Sequence, residues 1–308
     1  MALGEFDLIE QYFAQVGASP SVKLGVGDDA AVLELPAGRV HLISTDTAVS
    51  GVHFLPDSAP NFIAYRAVMA AASDLAAMGA KPEAMLLALT LPEANADWLA
   101  SFAEGVRCAS EHAALPLIGG DTTRGPLSVT VTVLGSAPSG QYLTRSGAQP
   151  GDRLCVSGTL GDAAAGLFLL GIDDMSVSAA DLGFLRQRFL RPTAQLILGQ
   201  TLNGLATSAI DVSDGLLADA GHLARLSSVG LIVDPGAIPI SAALRAYPDP
   251  AQVQEWALRG GDDYELLFTL PSHAKLPDGC TEIGEVIAGS GVRCDGVPNI
   301  TGYDHFER

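Results

Sequence analysis

Short apolar runs in this chain are broken five times by aspartate set among glycine, serine or threonine: Gly27-Asp28-Asp29, Ser44-Thr45-Asp46, Gly119-Gly120-Asp121, Asp211-Val212-Ser213-Asp214-Gly215 and Gly261-Asp262-Asp263. Glycine and aspartate favour turn conformations, and an unpaired carboxylate resists burial, so the pattern predicts short helices and strands joined by acidic turns. Three lysines, Lys23, Lys81 and Lys275, are all that the sequence holds. Anionic ligands at such turns would need metal cations to neutralise them. Oxygen-only donors suit a hard ion such as Mg²⁺, held by one or two carboxylates, waters and substrate phosphates. The chemistry implied is metal-assisted phosphoryl transfer.

With 308 residues and 48% hydrophobic content, the chain can bury sizeable cores and suits two domains. A short strand is predicted at Val40 to Ser44, ending at Thr45-Asp46, then a helix over Asn61 to Met78 closed by Gly79. Strands follow at Ala84 to Leu91, Leu115 to Ile118 and Ser128 to Leu134, with a helix at Asn95 to His112. Gly135 to Asp152 carries no period and holds the domain boundary, giving units 1–137 and 138–308. The second unit is read as strands at Arg153 to Val156, Ala209 to Val212, Leu231 to Asp234 and Tyr264 to Leu270. Its helices span Asp162 to Leu170, Asp181 to Leu190, Thr193 to Leu205 and Gly215 to Leu226. The fold class expected is α+β, two mixed α/β domains.

Seventeen basic against 35 acidic residues give a formal charge of -18, which disfavours nucleic acid and anionic membranes as partners. The N-terminal residues lack the pattern of a signal peptide, and no apolar stretch reaches the ~18 residues of a membrane span, so a cytoplasmic protein is expected. Cys108, Cys155, Cys280 and Cys294 form no C-x-x-C pair and are read as reduced and mostly buried. No histidine pair has zinc-helix spacing. Gly25 to Ala30 fits G-x-G-x-x-A, yet no clear strand precedes it and two carboxylates would repel a pyrophosphate, so a dinucleotide fold is set aside.

Asp74 shares the apolar face of its helix with Ile63, Ala67, Ala70, Ala71 and Met78, near the C-terminal end where the macrodipole disfavours an anion. A carboxylate there needs a metal, a proton, or an arginine such as Arg66 or Arg107. Asp46 and Asp121 follow short strands, and Gly119-Gly120 would let backbone approach a ligand closely. From Asp211 to Gly215 a strand leads into a helix whose free N–H groups, with the Ser213 hydroxyl, suit a phosphate; the alternative is an ordinary helix cap. Arg145 can clamp phosphate bidentately, and His53 can meet a substrate, though exposed loop positions are the plainer reading of both.

In order along the chain, Gly27-Asp28-Asp29-Ala30, Ser44-Thr45-Asp46-Thr47, His53-Phe54, Ser73-Asp74-Leu75-Ala76-Ala77-Met78-Gly79, Gly119-Gly120-Asp121-Thr122-Thr123, Thr144-Arg145-Ser146-Gly147, Asp211-Val212-Ser213-Asp214-Gly215, Gly260-Gly261-Asp262-Asp263-Tyr264-Glu265 and Gly302-Tyr303-Asp304 resemble the thiamine-monophosphate kinase family, within the aminoimidazole ribonucleotide synthetase-like superfamily. The resemblance implies that superfamily's two-domain fold. Its N-terminal domain would bind metal and ATP and pair its sheet across a homodimer, while the C-terminal domain completes the active site. It implies transfer of the ATP γ-phosphoryl group to thiamine monophosphate, directly and in line, giving thiamine diphosphate, with several Mg²⁺ ions and room for a monovalent cation. By matching motif, Asp29, Ser44, Thr45, Asp46, Asp74, Asp121, Asp211 and Asp214 would be metal ligands. Gly120, Asp121, Arg145 and Ser213 would face ATP, and His53, Asp262 and Tyr303 the thiamine moiety. Arg145 and Asp121 would act on the reacting phosphates. Where the family commonly has Glu-Asp-Tyr-Glu after paired glycines, this chain has Asp262-Asp263-Tyr264-Glu265. Rival readings are amidine-forming ligation on a ribonucleotide and a non-catalytic acidic module that binds Mg²⁺ or Ca²⁺.

Overall fold

A computed structural model describes residues 5–14, 16, 19–26, 30–172 and 176–297. It divides into two compact units, Met1–Leu75 with Ala80–Gly140, and Ala76–Gly79 with Gln141–Arg308. Both mix helices with sheet, as the α+β reading expects.

The first unit contains α1 (Glu5–Tyr12), β1 (Val22–Leu24), β2 (Val32–Leu33), β3 (Arg39–Val49), α2 (Pro60–Ala77), β4 (Lys81–Leu91), α3 (Ala96–Ala113), β5 (Leu117–Arg124) and β6 (Ser128–Pro138). Its main sheet has the order β3-β6-β4-β5, antiparallel except for the parallel pair β4 and β5. Val129, Val131 and Val133 of β6 are buried, whereas the alternate residues Thr130 and Thr132 pair their hydroxyls with Thr47 and Thr45 at 2.9 and 2.7 Å. One face therefore lies against the core and the other carries a threonine ladder, as the two-residue period requires. Proline at the first position of α2 suits a helix start, and Gly79 at φ +64° ends it, with Ala80 N–H reaching Leu75 O and Gly79 N–H reaching Ala76 O. Asn95 caps α3 by accepting from Trp98 N–H, and Leu99, Phe102, Val106 and Ala109 form its buried stripe.

Two expectations change here. The strand predicted to stop at Ser44 continues to Val49, so Thr45 and Asp46 stand within β3, and Gly119-Gly120-Asp121 within β5, not in turns. Pairing of β3 with β6 along its whole length supplies the hydrogen bonds that local turn propensity does not foresee. A short strand, β1, does precede Gly25, but it pairs antiparallel with β2, so the segment is no strand-helix unit for a dinucleotide.

The second unit contains β7 (Arg153–Ser157), α4 (Asp162–Phe168), α5 (Ala179–Leu190), α6 (Leu196–Leu202), β8 (Ser208–Asp211), α7 (Leu216–Ser227), β9 (Gly230–Val233), α8 (Ala242–Arg245), α9 (Pro250–Arg259), β10 (Leu266–Leu270), β11 (Cys280–Ile287) and β12 (Gly291–Cys294). Six strands lie in the order β12-β9-β11-β7-β10-β8, with only β12 and β9 parallel. Leu154, Val156, Ile210, Leu267 and Ile283 of the sheet pack with Leu216, Leu217, Ala220 and Leu223 of α7. Ala165, Leu169, Leu185, Leu244, Val253 and Trp256 join α4, α5, α8 and α9 in a second cluster. The strand expected from Tyr264 begins at Leu266, because Tyr264 adopts a left-handed backbone that no regular strand allows. All four cysteines are free, and Cys155 and Cys294 are buried while Cys108 and Cys280 are half-exposed. No helix among the described residues is long and apolar enough to cross a membrane.

Candidate active site

In the first unit β3 and α2 bring Ser44, Asp46 and Asp74 together. Ser44 and Asp46 are two apart on one strand and so share a face. The Ser44 hydroxyl donates to Asp74 Oδ2 at 2.5 Å. Burial, and then the negative charge of Asp74, push the Asp46 carboxyl up to about 6. Two carboxylates that repel one another, beside a hydroxyl oxygen, form an oxygen donor set that a hard divalent cation would relieve. Arg107, one arginine considered as a partner for Asp74, is instead engaged with Glu104 and Glu111. No group of three or more His, Cys, Asp or Glu among the described residues is arranged to hold a metal. Among the described residues, an ion at Asp46 and Asp74 would leave shell positions open to water and phosphate oxygens, as Mg²⁺ commonly does.

Other expected residues of this unit stand apart from that pair. The Thr45 hydroxyl lies on the opposite face, paired with Thr132. Asp121 is exposed on β5, with β4 and β6 between it and β3, which puts three strand spacings, ~14 Å, between the strands of Asp121 and Asp46. A Cβ at Gly120, where φ is +153°, would meet Leu87 O at 1.8 Å. The close approach that demands glycine there is to β4, not to a ligand. His53 accepts from Val49 N–H through Nδ1 at 3.0 Å, which fixes the ring with its proton on Nε2. Asp29 and Tyr303 lie outside the described residues.

In the second unit two acidic turns are stitched together. Asp262 N–H donates to Ser213 O and Tyr264 N–H to Val212 O, both at 2.9 Å, while Val212 N–H donates to Glu265 O at 2.8 Å. Gly261 is required, since a Cβ would meet Ser213 O at 2.3 Å. The residues read as facing ATP (Ser213), metal (Asp211, Asp214) and thiamine (Asp262) thus occupy one end of the sheet. Arg145 has an exposed side chain, and its carbonyl accepts from Ser227 Oγ at 3.0 Å, which ties the loop to the end of α7.

The N–H groups of Ser213 and Asp214, just before the first turn of α7, both donate to Asp219 Oδ2, at 3.0 and 3.1 Å. Asp219 escaped the sequence reading. Burial, then the charges of Asp211 and Asp214, raise its carboxyl well above the ordinary range. Its place on the apolar stripe of α7 beside Leu216, Ala220 and Leu223 is the signal that drew attention to Asp74. A second missed group surrounds Arg188, which pairs with Glu265 at 2.9 Å and Asp162 at 3.7 Å. Asp263, 1% exposed, accepts from Gly161 N–H at 2.6 Å and Ala163 N–H at 3.1 Å, and burial pushes its carboxyl up to about 8.

Residues 27–137 match the family described as AIR synthase related protein, N-terminal domain. The thiamine-monophosphate kinase of Escherichia coli K12 is 46% identical, over 99% of each chain. The chain belongs to the thiamine-monophosphate kinase family. A solved structure of that kinase from Stenotrophomonas maltophilia K279a superposes with a TM-score of 0.87 at 44% identity, covering 96% of this chain and 98% of that one. AaThiL complexed with AMPPCP and TMP superposes with a TM-score of 0.82 at 35% identity, covering 99% of both. The family's fold is therefore the fold of this chain.

Proposed function

We propose that this protein transfers the γ-phosphoryl group of ATP to thiamine monophosphate, directly and in line, giving ADP and thiamine diphosphate. The observation that carries the reading is full-length identity of 46% to a thiamine-monophosphate kinase, joined to likeness to a relative solved with AMPPCP and TMP. Donor and acceptor are both phosphate anions, so their repulsion is the main obstacle and little covalent chemistry is asked of the protein.

The chain's own residues suit that task. Asp46, Asp74 and Ser44 would hold one Mg²⁺ in the first unit, Asp29, Thr45 and Asp121 would serve other ions there, and Asp211 and Asp214 would hold Mg²⁺ in the second. Mg²⁺ bound there would neutralise phosphate charge and support a loose transition state. Ser213 and Gly120 face the nucleotide; Arg145, exposed on a tethered loop, clamps phosphate with its planar guanidinium. Asp262, His53 and Tyr303 contact the thiamine moiety, whose cationic ring suits a carboxylate and an aromatic face. A phosphate oxygen is already ionised near neutral pH, so no side chain need act as base. We further propose a cytoplasmic homodimer formed through the first unit. Among the described residues β3 and β5 each pair on one side only, and Ile43 on the threonine-ladder face is 64% exposed.

A single-turnover reaction with ATP, Mg²⁺ and thiamine monophosphate, followed by mass identification, tests the activity. Thiamine diphosphate formed one-for-one with ADP is expected. ATP consumption only with a ribonucleotide acceptor, or metal binding with no ATP consumption, would overturn it.

A further inference from the structure

Asp262 and Tyr264 both hold left-handed backbone, at φ +71° and +53°, in a turn that also contains the buried Asp263. Residues with a Cβ avoid that region, and a bulky side chain there is an outlier. Such strain persists only where the surroundings over-determine it. Each residue of this turn is tied from outside: Asp262 N–H to Ser213 O, Asp263 carboxylate to Gly161 and Ala163 N–H, Tyr264 N–H to Val212 O. The Tyr264 ring is buried, with the residue 8% exposed, and its hydroxyl returns to donate to Asp262 Oδ1 at 3.1 Å. The half-exposed carboxylate of Asp262 is thereby fixed from below by a group two residues away. A simple turn would leave that side chain free to rotate.

We propose that Tyr264 is a positioning residue for substrate recognition: its hydroxyl, presented by the strained turn, holds the Asp262 carboxylate in the orientation that meets the thiamine moiety. The inference rests on the assignment of Asp262 to substrate binding in the proposed kinase reaction. A carboxylate held in place loses less rotational freedom when a cationic or amine-bearing ligand arrives, so the hydroxyl acts on acceptor binding and not on phosphoryl transfer. In the proposed reaction the nucleotide does not use this carboxylate.

Four proteins test it: wild type, Tyr264→Phe, Asp262→Ala and the double variant. Steady-state kinetics are run with thiamine monophosphate and with ATP varied separately. In Y264F the KM for thiamine monophosphate is expected to rise roughly three- to tenfold, the scale of one ordinary net hydrogen bond. Its kcat and its KM for ATP should stay within about twofold, and its melting temperature within about 3 °C. In the Asp262→Ala background the same Tyr264→Phe change should have no further effect. An unchanged KM in Y264F, an effect that multiplies with Asp262→Ala, or a melting temperature lowered by more than about 5 °C would overturn the proposal, the last by assigning the hydroxyl to the fold. Absence of thiamine diphosphate from the wild-type reaction would instead remove the kinase reading itself.

Discussion

Replacing Arg188 by methionine keeps the bulk of the side chain and removes the guanidinium that Asp162, Asp263 and Glu265 share. Asp162 is 0%, Asp263 1% and Glu265 2% exposed, so water cannot take the cation's place. Breaking a buried pair from one side costs ~3–5 kcal/mol, because the opposite charges stay buried without compensation. For a unit of this size, ~4 kcal/mol lowers the melting temperature by roughly 8–15 °C. The loss must also depend on pH. Burial already pushes Asp263 up to about 8, so the folded protein keeps a proton that the unfolded chain releases near 3.8. Stability from this group is therefore fully present at low pH and falls as pH rises from ~4 through ~8, the reverse of an ordinary salt-bridged aspartate. Without Arg188, Asp263 and Glu265 take up protons more readily still, which makes the fall steeper. Thermal melts of wild type and R188M at pH 5.5 and pH 8 should show a gap that widens at the higher pH. A gap under about 2 °C, or one equal at both pH values, would refute the argument that this cluster is held by a single buried cation.

Further predictions address the acidic groups. Asp74→Asn should lower kcat at least ~100-fold with a melting temperature within about 3 °C of wild type; near-normal turnover at low Mg²⁺ would remove Asp74 from the metal-binding set. Asp46→Asn relieves a half-buried carboxylate raised to about 6, so the metal-free protein at pH 8 should gain about 1–3 kcal/mol while turnover is lost. Denaturant titration of both proteins in EDTA checks this, and an unchanged midpoint would contradict it. Asp219→Ala leaves the Ser213 and Asp214 N–H groups without their acceptor, and should raise the KM for ATP more than that for thiamine monophosphate. Equal rises in the two constants would count against a nucleotide-side role. Gly120→Ala should cost ~3 kcal/mol or more, because the added methyl meets the Leu87 carbonyl, and a melt within 2 °C of wild type would show that β4 and β5 can part there.

Helices and their ends were the most legible part of the fold. Gly79 ends α2 and Asn95 begins α3 through bonds made within a few residues, so the sequence alone exposes them. The apolar stripe around Asp74 likewise identified a carboxylate turned toward the interior, and Ser44 and Asp46 are what it meets. Strand limits were less legible, since β3 runs on through Thr45 and Asp46 only because β6 pairs with it residue by residue. Amphipathic α9 went unread although Asp249 and Pro250 mark its start, and the sheet strands β11 and β12 went unread because their signals are weak until partners are in place.

Local chemistry written into the sequence determined the two acidic turns of the second unit, the helix caps, the two-unit α+β class and the kinship of the chain, because each depends on residues close together or on ordered motifs. Tertiary structure alone decided which carboxylates share a field. Asp263 reaching the start of α4 from a hundred residues away, the turn at Asp262 to Tyr264 bonding to Val212 and Ser213, and Arg188 meeting Glu265 all depend on chain crossings. Electrostatic energy and hydrogen bonding fall off over a few ångströms of space, whatever the separation in sequence, so no reading of neighbouring residues could supply those partners.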